Sequence, residues 1–220
     1  MERLKSTLPN MLLSLTLISA IAGAILAGVY MLTEQPIAAS KAATLQNAIR
    51  AVVPEFDNQP IEEAFMAATP EGDSLKIYPA KMGGQLVGAA VESNTQKGFS
   101  GEIRVIVGFD AEGKLFNYSV LQHAETPGLG SKMQDWFRME GTDRNVLGSD
   151  LSQGPLRVKK DGGTVDAITA ATISSRAFLD AVNRAYSAFS GTGTADAVSG
   201  ATAEMAGQSN EEKEGGNDHE

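Results

Sequence analysis

Between Lys5 and Glu34 the sequence contains no charged side chain, and Met11 to Leu32 is dominated by Leu, Ile, Ala and Val. As a helix this run extends about 33 Å, enough to cross the hydrocarbon core of a bilayer. A cleaved signal peptide is the rival, and Ala20-Ile21-Ala22 offers a small-x-small site. The apolar run continues past it through Gly28 to Leu32, which favours an uncleaved anchor. Arg3 and Lys5 precede the span and Glu34 follows it, so the positive-inside rule puts residues 1–10 in the cytoplasm. A single-pass protein of the cell inner (cytoplasmic) membrane is expected, in contact with lipid over residues 11–32. The rest is extracytoplasmic, and periplasmic in a bacterium with an outer membrane.

Past the span the pattern changes twice. Ile37, Leu45, Ile49 and Val52 suit an amphipathic linker helix within residues 33–56, opening at Pro36 and stopped by Pro54. Residues 57–190 form one domain. Pro60 to Ala68 reads as a short helix, and Thr69 to Asp73 as a turn. Short β-rich runs follow at Ile77-Tyr78, Leu86 to Val91, Glu102 to Phe109 and Leu115 to Leu121, with Asp110 to Gly113 as a turn between the last two. They predict an antiparallel sheet with one covered face. Met133, Trp136 and Phe137 suit a short helix with an aromatic inner side; Leu156 to Val158 suits a further strand. Residues 191–220 are rich in Gly, Ala, Ser, Thr and Glu and poor in apolar residues, so a disordered acidic tail is expected. The fold class is α+β: one transmembrane helix, then a domain of mainly antiparallel sheet with packed helices.

A net charge of -9 argues against nucleic acid as a partner. The 220 residues include no cysteine and two histidines, His123 and His219. Thiolate-bound iron–sulfur clusters, zinc ribbons and cysteine nucleophiles are therefore excluded. If such a chain moves electrons, an organic cofactor is the carrier it accommodates most easily.

Thr164 to Arg176 crowds hydroxyls and small residues just before an apolar helical pattern made by Phe178, Ala181, Val182, Ala185, Tyr186 and Phe189. Thr172 to Ser175 fall where helix N-caps belong, and a helix start with small neighbours suits a phosphate. A plain helix cap is the structural alternative. Two glycine loops accompany it, Gly98-Phe99-Ser100-Gly101 and Glu125-Thr126-Pro127-Gly128-Leu129-Gly130.

The order Asp166-x-x-Thr169-Ala170-Ala171-Thr172-x-Ser174 resembles the flavinylation motif of the FMN-binding subunits of two complexes, Rnf and the sodium-pumping NADH:quinone oxidoreductase. With the two glycine loops, the resemblance spans about residues 75–190. It implies FMN joined to Thr172 by a phosphoester, with Asp166, Thr169 and Ala171 completing the pattern read by a flavin transferase. Ala170 stands where the family usually has glycine, and Ser100 where another glycine is frequent. Further cofactor contacts are expected from Ser174, Phe99, Glu125, Thr126, Gly128, Leu129 and Gly130. Ala171 to Ala177 looks closer to the G subunit of Rnf than to the C subunit of the sodium pump.

The implied function is electron relay by covalent FMN within an ion-translocating ferredoxin:NAD oxidoreductase, beside other membrane subunits. No NAD-dependent activity of the chain's own is expected. A component like the sodium pump's C subunit is the alternative within the family. A membrane-tethered flavin sensor or docking module, and a cofactor-free anchored binding domain, are the alternatives outside it.

Overall fold

The structure, a computed structural model, describes residues 7–191. Residues 1–6 and 192–220 lie outside it, and with them nearly all of the expected acidic tail. The chain forms two compact units divided between Leu45 and Gln46.

The apolar run is helical, as its composition dictates. Helix α1 covers Leu8–Val52, 45 residues, and is long and apolar enough to cross a membrane. Pro36, expected to open a second helix, lies inside it. Proline there removes the amide that would reach the carbonyl four residues back and its ring crowds that carbonyl, but no turn residue nearby favours another path. The helix ends two residues before Pro54, where the ring disfavours helical backbone in the preceding residue.

The second unit is built on a five-stranded antiparallel sheet whose strands pair in sequence order: β1 Phe65–Ala68, β2 Ser74–Met82, β3 Gln85–Gly98, β4 Gly101–Asp110 and β5 Leu115–His123. Local turns make that order possible. Gly83 and Gly84 both have positive φ, 58° and 81°, which is what a tight hairpin with right-handed strand twist requires. Strand β1 corrects the helix expected from Pro60 to Ala68. Phe65 to Ala68 pair with Ile77 to Ser74, and only residues 60–63 turn. Spacing over so short a segment does not separate strand from helix, and the partner strand decides.

Alternation along β4 sends Ile103, Val105, Val107 and Phe109 into the main core. Helix α3, Thr172–Gly191, covers that face. Ala177, Ala181, Ala185 and Ala188 are all fully buried on it and let the helix approach closely. Phe178 stacks on Phe137 with ring centroids 4.6 Å apart, and Tyr118 meets Phe178 edge-on at 4.7 Å. The Arg184 guanidinium reaches Glu71, Asp73 and the Asn94 carbonyl, joining α3 to the turn after β1.

The expectation of one covered face is corrected. The last two turns of α1 and Val53 lie over the other face, burying Ile49, Val52 and Val53 together with Ala90 and Ile106. Gly108 faces the Val52 carbonyl so closely that a Cβ there would overlap it. Asn117 Nδ2 donates to the Ala51 carbonyl at 2.9 Å. The part of the linker sequence from Gln46 onward is thus part of the domain's second core layer.

Short helix α2, Met133–Trp136, follows a 3₁₀ turn at Gly130–Lys132, where a helix was expected. The strand expected at Leu156 to Val158 reduces to one bridge between Val158 and Val165. Asn183 on α3 brackets the Leu156 backbone, accepting from its N–H and donating to its C=O, both at 2.9 Å. Those two groups are therefore satisfied without a neighbouring strand.

Two outcomes follow from this packing. Gly108→Ala is expected to destabilise the domain by about 1–3 kcal/mol in denaturant titrations, by forcing β4 away from the end of α1. The Tyr118 phenol, which donates to the Met133 and Gln134 carbonyls, is pushed up to about 12 by burial. Its contribution is complete below the ordinary value of about 10 and is lost as pH rises through about 12, because the unfolded chain ionises first. Unfolding midpoints fall over that window, and Tyr118→Phe makes the fall shallower.

Candidate functional site

The start of α3 is shaped by its own short side chains. Ser175 Oγ accepts from the Ile168 N–H and donates to the Ala171 carbonyl, each at 2.9 Å. The Ala171 N–H closes a tight turn on the Ile168 carbonyl at 3.0 Å. Within this turn Ala170 has φ 60°, the only non-glycine residue with positive φ among those described. A left-handed position of this kind favours glycine, and alanine accepts it at a cost of about 1–2 kcal/mol.

Helix α3 begins at Thr172, so Ala171 rather than a hydroxyl residue holds the cap position. Ser174 and Ser175 turn inward and are buried. Among the described residues nothing hydrogen-bonds the Thr172 hydroxyl. The Thr172, Ile173 and Ser174 amides likewise have no partner there, as a helix start requires. An uncapped helix start, three free N–H groups and a free hydroxyl therefore meet in one place.

That place opens on a cleft of about 320 Å³. Ala170, Ala171, Thr172, Ile173 and Ser174 line one side, Glu125, Thr126, Leu129 and Gly130 another, and Phe99 the rim. Phe99 is 66% exposed, Ile173 49% and Leu129 39%, so three large apolar side chains surround a polar floor. Phe99 and Ser100 form the two-residue tip between β3 and β4, where Gly98 pairs with Gly101.

Glu125 holds these parts together. It is 4% exposed. Its Oε1 accepts from the Ser100 N–H at 2.9 Å and its Oε2 from the Ser174 hydroxyl at 2.5 Å. Two glycines leave room for it. A Cβ at Gly98 would lie 2.7 Å from Oε1, and one at Gly130 2.7 Å from Oε2 and 2.5 Å from Ser174 Oγ. His123 accepts the Glu125 N–H through Nδ1 at 3.2 Å.

Of the residues singled out from sequence, Phe99, Glu125, Thr126, Leu129, Gly130, Ala170, Ala171, Thr172 and Ser174 converge on the cleft. Asp166, Thr169 and Gly128 do not line it. Gly128, with φ 76°, shapes the loop and donates its N–H to Ser131 Oγ, while the Leu129 N–H goes to the Thr126 carbonyl. The loop thus uses both of these amides internally. Asp166 pairs with Lys159 at 3.0 Å, and Lys159 also reaches Asp143 at 2.7 Å. These carboxylates raise the Lys159 pKa, and Lys159 lowers that of Asp143. Trp136 donates to the Asp166 carbonyl at 2.9 Å and lies outside the cleft. Ile173 and the Ser100 amide went unrecognised. An exposed isoleucine off the buried face of α3 was the available sign for the first, and a backbone group leaves none for the second.

The arrangement suits an anion at the helix start with a flat apolar group beside it. Residues 98–187 match the FMN-binding domain family, from the tip between β3 and β4 through most of α3. Similar full-length proteins narrow the assignment. The G subunit of the ion-translocating oxidoreductase complex of Haemophilus influenzae (strain PittEE) is 35% identical over 165 residues, covering 72% of this chain and 78% of that protein. Its counterpart from Stutzerimonas stutzeri is 35% identical over 182 residues, covering 79% and 77%. That of Aliivibrio fischeri (strain ATCC 700601 / ES114) is 33% identical over 189 residues, covering 82% and 89%. The chain belongs to the G-subunit family of ion-translocating oxidoreductase complexes. Among solved structures, NqrC of Shewanella oneidensis is similar at 20% identity and a TM-score of 0.43, covering 67% of this chain and 75% of that one.

Ala170→Gly removes the left-handed penalty. It is expected to raise stability by up to about 1 kcal/mol and the melting temperature by about 2–4 °C, measured by scanning calorimetry.

Proposed function

We propose that this chain is the membrane-anchored, FMN-carrying electron-transfer subunit of an Rnf-type ion-translocating oxidoreductase complex. FMN is held by a phosphoester to Thr172. The observation that carries the reading is the unpaired Thr172 hydroxyl beside three unpaired amides, on a cleft with an apolar rim. When bound, the flavin supplies reversible two-electron chemistry. The amides of Thr172 to Ser174 hold phosphoryl oxygens, helped by the positive end of the α3 dipole. Phe99, Leu129 and Ile173 cover apolar surface, and Glu125 keeps the two loops against the helix.

Asp166 and Thr169 serve attachment instead of holding the cofactor. Their position outside the cleft supports recognition by a flavin transferase, with Asp166 fixed by Lys159 and Trp136. A covalent link makes retention independent of binding affinity, which matters where free flavin is scarce. The apolar part of α1 anchors residues 11–32 in the cytoplasmic membrane, with the N-terminus cytoplasmic and residues 57–190 extracytoplasmic. Other membrane subunits supply and remove the electrons that couple ferredoxin and NAD to ion movement.

Peptide mass spectrometry of the full chain, produced in membranes with its flavin transferase, is expected to find FMN less one water on the Thr172 peptide. Thr172→Ala is expected to abolish covalent flavin while leaving the domain folded. An unmodified wild-type peptide, or flavin persisting in Thr172→Ala, overturns the assignment.

A further inference from the structure

Glu125 carries a buried carboxyl group with no cationic side chain beside it among the described residues. Its carboxylate borders the cleft, and among the described residues no Lys, Arg or His lies within ion-pair distance of it. Both of its hydrogen bonds come from neutral donors, the Ser100 amide and the Ser174 hydroxyl. Holding a carboxylate in such a place is costly. The hydrogen bonds alone do not demand it. A glutamine could accept from the Ser100 N–H through Oε1 and donate to Ser174 Oγ, because a hydroxyl accepts as readily as it donates. What a glutamine would lack is the charge, and screening is weak where water is excluded.

We propose that Glu125 sets the reduction potential of the cofactor in this cleft, its carboxylate holding that potential down. The proposal rests on the FMN reading above. Reduction of FMN by two electrons and one proton leaves the ring with one additional negative charge. The charge on Glu125 opposes that gain across the cleft it borders, and the free amides of the α3 start, whose first turn also holds Glu125 through Ser174, offset the charge of the phosphate end. Glu125 is thus a positioning residue for the loops and also a fixed electrostatic bias on the electron carrier. Gly98 and Gly130 allow the bias, since a side chain at either position would displace the carboxylate.

The test uses the full chain, made with its flavin transferase and purified in detergent, after mass spectrometry has located flavin on the Thr172 peptide. Dithionite titration against a dye of known potential reads the ratio of reduced to oxidised flavin at a fixed poise. Glu125→Gln is expected to raise that ratio about tenfold, equivalent to about 30 mV for a two-electron couple. Ser174→Ala keeps the charge and removes one donor that spreads it, so its ratio falls below wild type. An unchanged or lower ratio in flavinylated Glu125→Gln overturns the proposal, as does a ratio in Ser174→Ala at or above wild type.

Protein made without the transferase gives an independent reading. There Glu125→Gln unfolds in urea at the wild-type midpoint or higher, since a buried charge has been removed; a large drop assigns Glu125 a purely structural role and overturns the proposal. Wild-type protein without flavin on the Thr172 peptide removes the FMN reading and this one together. Flavin in place with an unmoved potential removes this one alone.

Discussion

A carboxylate taken out of water needs a donor for each oxygen, and the way Glu125 meets that need organises the site. One donor is the amide of Ser100 at a hairpin tip, and the other is the hydroxyl of Ser174 in the first turn of α3. Three segments distant in sequence are thereby drawn to one point, the tip between β3 and β4, the loop after β5 and the final helix. Gly98 and Gly130 are the spatial condition for this meeting. The cleft is the space left between the three segments once they have met.

The same economy of small residues runs through the rest of the domain. Four alanines allow α3 to lie close on one face of the sheet, and Gly108 allows the end of α1 to lie close on the other. Large side chains appear where a gap must be filled, as in the Tyr118, Phe137 and Phe178 cluster beneath the loop that carries α2. Their rings fix that loop against α3 one turn beyond Ser174, on the same buried face of the helix.

Patterns with a long run or a rigid punctuation were legible in the sequence. The uncharged stretch, the alternation in β4 and the periodicity of α3 each extend over enough residues to separate helix from strand. Phe65 to Ala68 did not, because four residues carry no reliable period and their state depends on β2. The covering of the second sheet face was hidden for a different reason: the residues responsible belong to α1, whose pattern looked like that of a linker. At the site, hydroxyl and glycine positions were readable because few side chains suit a helix start or a tight loop. The division of labour among them was not. Asp166 and Thr169 share a motif with Thr172, yet adjacency in sequence does not place them on the cleft, and the part played by the Ser100 amide is invisible in any side-chain pattern.

The strand order has a consequence for when the site exists. All five strands pair with sequence neighbours, so the sheet assembles by closing short loops, whereas α3 must return to β3 across a separation of 88 residues between Ser93 and Ala181. Closing the longer loop costs more entropy and is rewarded only after the sheet offers a surface. The helix start that completes the cleft is therefore the part of the site whose placement depends on a long closure, while the tip between β3 and β4 is set by local pairing.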